Sequence, residues 1–173
     1  TWMTRELHTI WLMAAPEDET MLTALVGELS TRFGTPLFLP HMTIRGDAEI
    51  PLAKLEQAVA QTAREIAAFS EPVAAVEGSE SFFRSFYARL ALNPSLAALK
   101  QALDPAGLAG FMPHVSLLYG AVEPAAKTAA LAEIGRRLAG KKLRFDRLGV
   151  IHSAQEIPIA EWRVVTSMPL KAS

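Results

Sequence analysis

The spacing of apolar residues divides the chain into short strands and amphipathic helices. From Pro16 to Phe33, apolar side chains recur every three or four positions, which predicts a helix that Gly34 ends. From Leu7 to Ala14, a short apolar run with branched and aromatic residues predicts a strand. The same criteria give the order strand, helix, strand, helix, strand, strand, helix, strand, helix, strand, strand. This order is typical of an α+β protein.

The expected elements fill most of the chain. The predicted strands cover residues 7–14, 39–46, 72–76, 82–92, 112–120, 143–152 and 162–168, and the predicted helices cover residues 16–33, 52–69, 95–103 and 124–138. The order of predicted strands and helices contains an approximate repeat. A length of 173 residues suits one domain. We therefore expect a single domain over residues 1–173, made of two internally repeated lobes.

Two of the predicted strands carry nearly the same sequence. The first copy reads LPHMTIRG over residues 39–46, and the second reads MPHVSLLYG over residues 112–120. In each copy an apolar residue is followed by proline, histidine, a second apolar residue and a hydroxyl residue, and a glycine closes the segment. Two matched copies in a chain with four histidines indicate an internal duplication, whose halves could face each other across a cleft.

Within each copy, the histidine and the hydroxyl residue share one face of the strand. Successive side chains of a strand point to opposite sides, so His41 lies on the side of Thr43, and His114 lies on the side of Ser116. The two groups of each copy are about 7 Å apart along the strand. These residues are the candidate catalytic and substrate-binding groups.

Two imidazoles that face each other across a cleft can act as a general base and a general acid. One takes a proton from water while the other protonates a leaving oxygen, and the neighbouring hydroxyls can hold phosphate oxygens. A cyclic phosphodiester suits such a site, because a five-membered ring is strained and its leaving oxygen stays tethered. The two copies are so similar that either histidine could be the base.

A two-histidine metal site is the competing interpretation. Such a site needs a third ligand, often a carboxylate. His8, His152 or Asp47 could provide one in principle, but no standard ligand spacing is present. We therefore favour a site without metal or other cofactor, and we expect His8 and His152 to be structural or surface residues.

Composition narrows the range of partners. A formal net charge of -1 gives no general attraction for long nucleic acids. The absence of cysteine excludes disulfides and a thiol nucleophile, and it fits a reducing compartment. No apolar run approaches the roughly 18 residues of a membrane span, and the first residues lack the pattern of a signal peptide. We expect a cytoplasmic monomer that binds a small molecule and no membrane.

The paired motifs resemble the signature of the 2H phosphoesterase superfamily, in which His-x-Thr/Ser-x occurs twice. Residues 41–44 (HMTI) and residues 114–117 (HVSL) match this signature position by position. More narrowly, the chain is similar to the cyclic phosphodiesterases of plants and yeast. The segments that carry this similarity are residues 9–11, 38–43, 112–119 and 146–162.

The resemblance implies a bilobal α+β fold, in which two pseudo-symmetric antiparallel-sheet lobes surround a central cleft and the helices lie outside. It implies metal-independent hydrolysis of ADP-ribose 1″,2″-cyclic phosphate or of nucleoside 2′,3′-cyclic phosphates, the latter opened to 2′-phosphates. It also implies that His41 and His114 form the acid–base pair, and that Thr43 and Ser116 bind phosphate oxygens.

Two aromatic residues acquire expected roles through the same resemblance. Tyr119 matches a tyrosine near the substrate in this family. Trp11 matches a tryptophan at the cleft, where an indole can stack on a base or a ribose. Ordinary core packing is the alternative for Trp11. Because the chain lacks the cysteines of the plant members, disulfide-linked loop control is not expected here.

Two other functions stay open at this point. An RNA-processing enzyme of the same superfamily would act on RNA ends that bear a 2′,3′-cyclic phosphate, or on a 2′-5′ linkage. The near-neutral net charge argues mildly against it, because RNA-binding surfaces are usually basic. A non-catalytic nucleotide-binding module is the second alternative, and the intact histidines and hydroxyls of both motifs argue against that.

Overall fold

The computed structural model describes residues 6–173 and contains seven strands and four helices within them. The strands are β1 (His8–Ala14), β2 (Met42–Ala48), β3 (Phe69–Gly78), β4 (Phe86–Leu90), β5 (His114–Leu118), β6 (Lys142–His152) and β7 (Arg163–Pro169). The helices are α1 (Pro16–Phe33), α2 (Leu52–Glu65), α3 (Pro94–Leu103) and α4 (Pro124–Leu138). The predicted element order and the α+β class are therefore confirmed. Residues 1–5 of the expected domain lie outside the described residues.

The strands pair antiparallel in the order β1-β2-β5-β4-β3-β6-β7, and β1 also pairs with β6. The long strand β6 connects two halves of this sheet. Its first residues pair with β3, as at Phe69↔Phe145, whereas its later residues lie between β1 and β7. One half contains β2, β1, the later part of β6 and β7, and the other contains β5, β4, β3 and the start of β6. The structure thus has two antiparallel-sheet lobes, as the resemblance implied.

The two strands that follow the motif prolines are neighbours where the lobes meet. β2 and β5 share the register pair Met42↔Val115. Both of these side chains are fully buried in the main hydrophobic core. Since alternate residues of a strand point to opposite faces, the residues on either side of this pair point away from the core. Both motifs therefore present their polar side chains on the same open side of the sheet.

The helices cover the other side of the sheet. α1 packs against β1 and β5, α2 against β6 and β7, α3 against β2, and α4 against β3. Side chains of β1 alternate between the two sides: Ile10 and Leu12 belong to the main core, whereas Trp11 and Met13 form a separate cluster with Ile151. Full burial of such a large apolar side chain stabilises the fold by about 1.5–3 kcal/mol. None of the helices within residues 6–173 is both long enough and apolar enough to cross a membrane.

Local signals set the ends of α1 as the sequence predicts. Pro16 occupies the first turn, where its missing N–H leaves no helical hydrogen bond unmade. Three acidic residues follow it in the first turn and interact favourably with the positive end of the helix dipole. Gly34 has a φ of 68°, and its N–H donates to the carbonyl of Ser30. This left-handed conformation is readily adopted by glycine and ends the helix.

Helix α2 ends at Glu65 rather than at Phe69, where the sequence predicts its end. The backbone becomes extended at Ile66 because it pairs with the C-terminal segment. The N–H of Lys171 donates to the carbonyl of Ile66 at 3.0 Å, and the N–H of Ala68 donates to the carbonyl of Lys171 at 2.9 Å. A contact between distant parts of the chain thus overrides the local helical signal.

The strand predicted over residues 82–92 is also shorter in the structure. Phe82–Arg84 form a 3₁₀ turn, and β4 begins at Phe86. The hydroxyl of Ser79 donates to the carbonyl of Arg84 at 2.6 Å and so closes the turn against the end of β3. This turn brings Phe83 and Arg84 to the open side of the sheet, beside the motif residues.

Candidate active site

The four polar side chains of the two motifs are cross-strand neighbours. Extending the β2–β5 register by one residue in each direction places His41 opposite Ser116, and Thr43 opposite His114. Directly opposed residues of an antiparallel pair have Cβ atoms about 4.5–5.5 Å apart, and diagonal residues lie about 7–8 Å apart. Each imidazole therefore lies beside the hydroxyl of the other motif, and the two imidazoles lie on a diagonal.

The same backbone contact orients both rings. Nδ1 of His41 donates to the carbonyl of Leu39 at 2.7 Å, and Nδ1 of His114 donates to the carbonyl of Met112 at 2.8 Å. A carbonyl oxygen accepts hydrogen bonds and cannot donate them, so Nδ1 carries the hydrogen in both rings. The neutral ring then keeps its lone pair on Nε2. Each histidine can accept a proton at Nε2, and each can donate one from Nε2 when protonated.

Burial favours the neutral form of both imidazoles. It lowers the pKa of His41 to about 3, although the hydrogen bond to Leu39 opposes the shift; the charge of His114 adds to it. Burial also lowers the pKa of His114; here the hydrogen bond to Met112 opposes the shift and the charge of Arg84 adds to it. His114 is the more exposed of the two rings. An anionic ligand in the cleft would stabilise the imidazolium form of either ring.

Tyr119 lies close to the hydroxyl of the second motif. It is buried against the rings of Phe38 and Phe83, whose centroids are 4.2 Å and 5.3 Å from its own. Burial raises the pKa of Tyr119, and its hydrogen bond with Ser116 opposes this shift. The phenol therefore keeps its proton at neutral pH, and it contributes to the position of the Ser116 hydroxyl.

A cavity of about 530 Å³ opens over the motif residues. This volume lies within the range of roughly 300–1,000 Å³ that is typical of small-molecule sites. Besides both histidines and both hydroxyl residues, its lining contains aromatic and cationic side chains. These are Trp11, Phe83, Phe111, Tyr119, Trp162, Arg84 and Lys100. The structure therefore brings all six predicted site residues to one cleft, and their roles stay predictions.

An aromatic wall lies next to His41. The indole of Trp11 is parallel to the imidazole, with ring centroids 3.4 Å apart and an interplanar angle of 6°. Trp162 stands nearly perpendicular to both rings, at 6.1 Å from Trp11 and 6.5 Å from His41. Its Nε1 donates to the carbonyl of Ile157 at 2.9 Å, which fixes the indole. Phe83 lies 6.3 Å from Trp162 in a nearly parallel orientation.

Two cations in the cleft differ in how their charge is used. Lys100 is buried, and its Nζ donates to the carbonyl of Ile44 at 2.6 Å and to Asp104 at 2.9 Å. Its charge is thus compensated within the protein, and it holds the backbone of β2 in place. Arg84 is exposed, and it is near enough to His114 to lower that pKa. Arg84 is therefore the cation better placed to meet an anionic ligand.

His8 and His152 are not brought together with the motif residues. Their ring centroids are 6.2 Å apart, and neither residue lines the cavity. Burial lowers the pKa of His8, and the charge of His152 adds to this effect. Within residues 6–173, no group of three or more His, Cys, Asp or Glu side chains is arranged to hold a metal ion.

Sequence reasoning missed Phe83, Trp162 and Lys100 as parts of the cleft. Phe83 comes from the 3₁₀ turn before β4, and Trp162 comes from the residue before β7, so their approach depends on how distant segments pack. Lys100 carries a readable signal, because it lies on the buried face of α3 together with Leu96 and Leu103. A lysine on the apolar face of a helix is rarely buried without a specific partner.

The chain is similar in sequence to a cyclic phosphodiesterase of Arabidopsis thaliana. The two are 22% identical over 169 residues, which cover 93% of this chain and 93% of the relative. No family model matches the chain.

Solved structures share the fold over nearly their whole length. E. coli LigT in complex with 3'-AMP superposes with a TM-score of 0.61 at 14% identity, over 97% of this chain and 99% of LigT. A protein of Thermus thermophilus superposes with a TM-score of 0.60 at 15% identity, over 96% of this chain and 98% of that protein. The resemblance indicated by the paired motifs is confirmed: this chain has the fold of the 2H phosphoesterase superfamily, to which the Arabidopsis enzyme and LigT belong.

Proposed function

We propose that this protein is a metal-independent phosphodiesterase that opens a small, nucleotide-derived cyclic phosphate by acid–base catalysis between His41 and His114. The similarity to a cyclic phosphodiesterase supports an enzyme of the phosphodiesterase class. The observation that carries the proposal is the cross-strand arrangement of the motifs. It gives a phosphate two Nε2 atoms on a diagonal and a hydroxyl beside each of them.

The reaction needs one proton acceptor and one proton donor. The first imidazole takes a proton from water at Nε2 while the water oxygen bonds to phosphorus. The bond from phosphorus to one ring oxygen breaks, and the second imidazolium gives its Nε2 proton to that oxygen. The products are a phosphate monoester and a free hydroxyl. The hydroxyls of Thr43 and Ser116 donate to the non-bridging oxygens, whose charge grows in the transition state.

We assign the base to His41 and the acid to His114. Burial keeps His41 neutral, so its Nε2 is ready to accept a proton over a wide pH range. His114 is more exposed and lies near Arg84, which is suited to bind the substrate anion. A bound phosphate stabilises the imidazolium of His114 and thereby supplies the acid.

The cleft also suits the nucleoside part of such a substrate. Its volume of about 530 Å³ leaves space beyond a phosphate group, and aromatic side chains line one wall. The face of an aromatic side chain can bind any of the nucleic-acid bases by stacking. Because LigT, which shares this fold, is seen in complex with 3'-AMP, we propose a nucleoside 2′,3′-cyclic phosphate or ADP-ribose 1″,2″-cyclic phosphate as the substrate.

Turnover of these two cyclic phosphates in excess EDTA tests the proposal. We expect the wild-type protein to hydrolyse at least one of them, and we expect His41→Ala and His114→Ala to lose about 10²–10⁴-fold in rate. His152→Ala is the matched control, since that histidine lies outside the cavity, and it should keep full activity. Activity that appears only after a metal ion is added would contradict the mechanism. Turnover confined to RNA ends would contradict the substrate.

A further inference from the structure

The two lobes place an aromatic residue at equivalent positions beside the motif hydroxyls. Trp11 on β1 lies opposite Thr43, and Tyr87 on β4 lies opposite Ser116. Each aromatic residue therefore belongs to the strand that flanks a motif strand on its outer side. The internal repeat thus extends beyond the motifs, and it makes the contacts of these two aromatic side chains directly comparable.

The contacts of the two aromatic residues with the histidines are different. Trp11 lies flat on His41, with ring centroids 3.4 Å apart and planes within 6° of each other. Tyr87 meets His114 edge to face, at 5.2 Å and 65°. His41 thus has a parallel aromatic surface over its whole ring, and His114 has none from the equivalent residue. This difference separates two histidines that the sequence motifs make look the same.

Three contacts together fix the orientation of the His41 ring. The hydrogen bond from Nδ1 to the carbonyl of Leu39 limits rotation within the ring plane. The indole of Trp11 fixes the plane itself, and Trp162 stands against the edge of both rings. Rotation about either side-chain bond of His41 would break at least one of these contacts. The ring is therefore held with Nε2 in one direction.

We propose that Trp11 is a positioning residue, which holds the His41 imidazole in the orientation needed for proton abstraction and stabilises the imidazolium that forms there. The proposal rests on the proposed function and names the residue that makes His41 suited to be the base. The face of an aromatic ring attracts a cation, and indole does so most strongly. His41 gains positive charge as it takes the proton from water, so the contact strengthens in the transition state.

The packing of Trp11 argues against its use as a stacking surface for the substrate base. Trp11 is 3% exposed, and the face of its indole that points toward His41 is already covered by the imidazole. A base that stacks on an indole must cover most of one face. The role in base binding that the resemblance implies for Trp11 would require His41 to leave its position.

Two variants of Trp11 and two substrates distinguish these roles. Trp11→Leu removes the flat ring and Trp11→Phe keeps a smaller one. Each is assayed with a nucleoside 2′,3′-cyclic phosphate and with a cyclic phosphate of ribose that carries no base. We expect Trp11→Leu to lower kcat by about 10²-fold with little change in KM on both substrates, because small misplacements of a catalytic group have costs of that order. Trp11→Phe should lose about tenfold or less.

The control is Met13→Leu, which changes another member of the Trp11 cluster that does not line the cavity. It should leave kcat unchanged. A rise in KM limited to the base-bearing substrate would overturn the proposal and assign Trp11 to base binding. Equal rates for wild type and Trp11→Leu would also overturn it.

A second measurement does not depend on turnover. NMR titration of the His41 ring reports its tautomer and its pKa in wild type, Trp11→Phe and Trp11→Leu. We expect the tautomer with its hydrogen on Nδ1 to dominate in wild type and to lose population in Trp11→Leu, because the ring can then turn away from the carbonyl of Leu39. An unchanged tautomer population in Trp11→Leu overturns the positioning role even if no substrate is found. Absence of turnover in wild type, by contrast, contradicts the proposed function alone.

Discussion

Replacement of His41 by glutamine should change how the stability of the protein depends on pH. His41 is 5% exposed, and burial lowers its pKa from 6.5 to about 3. Glutamine is similar in length to histidine and cannot be charged, but its amide nitrogen corresponds to Nε2 and not to Nδ1. The variant therefore removes the titrating group, and the loss of the hydrogen bond to Leu39 lowers its stability by an amount that does not vary with pH.

The sign of the effect follows from the protons bound in each state. Between pH 6.5 and about pH 3, the unfolded chain carries a proton on residue 41 and the folded protein does not. Acid therefore favours the unfolded state through this group. Above pH 6.5 the ring is neutral in both states, and its titration does not change the free energy of unfolding. Below pH 6.5 the free energy of unfolding falls as the pH drops, until the folded pKa is reached. The slope is about 1.4 kcal/mol per pH unit, so wild type loses about 2.5 kcal/mol between about pH 6 and about pH 4 through His41.

Urea unfolding at a series of pH values measures this loss. We expect the difference in the free energy of unfolding between wild type and His41→Gln to fall by about 2.5 kcal/mol over that range. Thr43→Val is the control, because it changes a neighbouring cleft residue that does not titrate, and its difference from wild type should not vary with pH. A constant difference for His41→Gln would refute the argument that burial keeps this ring neutral.

Two further predictions concern catalysis and packing. Burial lowers the pKa of both His41 and His114 from 6.5, so the bell-shaped pH profile of kcat/KM should have its optimum below pH 6.5. The pH profile of kcat should lie at higher pH, because a bound phosphate raises the pKa of both histidines. Steady-state rates measured across this pH range test both shifts. Gly78→Ala should destabilise the fold by about 1–3 kcal/mol in urea unfolding, since the added Cβ would collide with the carbonyl oxygen of Ser85. Gly27 lies in helix α1, and no atom is within 4 Å of a Cβ added there, so Gly27→Ala should instead stabilise the fold by about 0.5–1 kcal/mol. A Gly78→Ala variant that is more stable than Gly27→Ala would refute this packing argument.

The order of the elements could be predicted because each element carries its own periodic signal. Helix α4 is predicted over residues 124–138, where the structure has it, since Pro124 starts it and its apolar residues recur at helical spacing. The end of α2 could not be predicted, because it depends on hydrogen bonds between Ile66 and Lys171. Boundaries set by distant contacts leave no trace in a local window of sequence.

The candidate site likewise has features that the sequence predicts and features that it does not. The paired motifs identify His41 and His114, because the spacing of histidine and hydroxyl residue is a local property of each strand. The pairing that puts each imidazole beside the other motif's hydroxyl is a register between distant strands, which the sequence does not encode locally. The stacking of Trp11 on His41, and the approach of Trp162, likewise follow from the packing of β1, β6 and β7.

The most direct test of acid–base catalysis by two histidines replaces the leaving oxygen by sulfur. A thiolate leaves without being protonated, so a 2′,3′-cyclic substrate with sulfur at the 3′ position needs a base and no acid. We predict that His114→Ala recovers most of its lost activity on this substrate and that His41→Ala stays about 10²–10⁴-fold impaired. If both variants recover equally, or if neither recovers, the division of the two proton transfers between His41 and His114 is wrong.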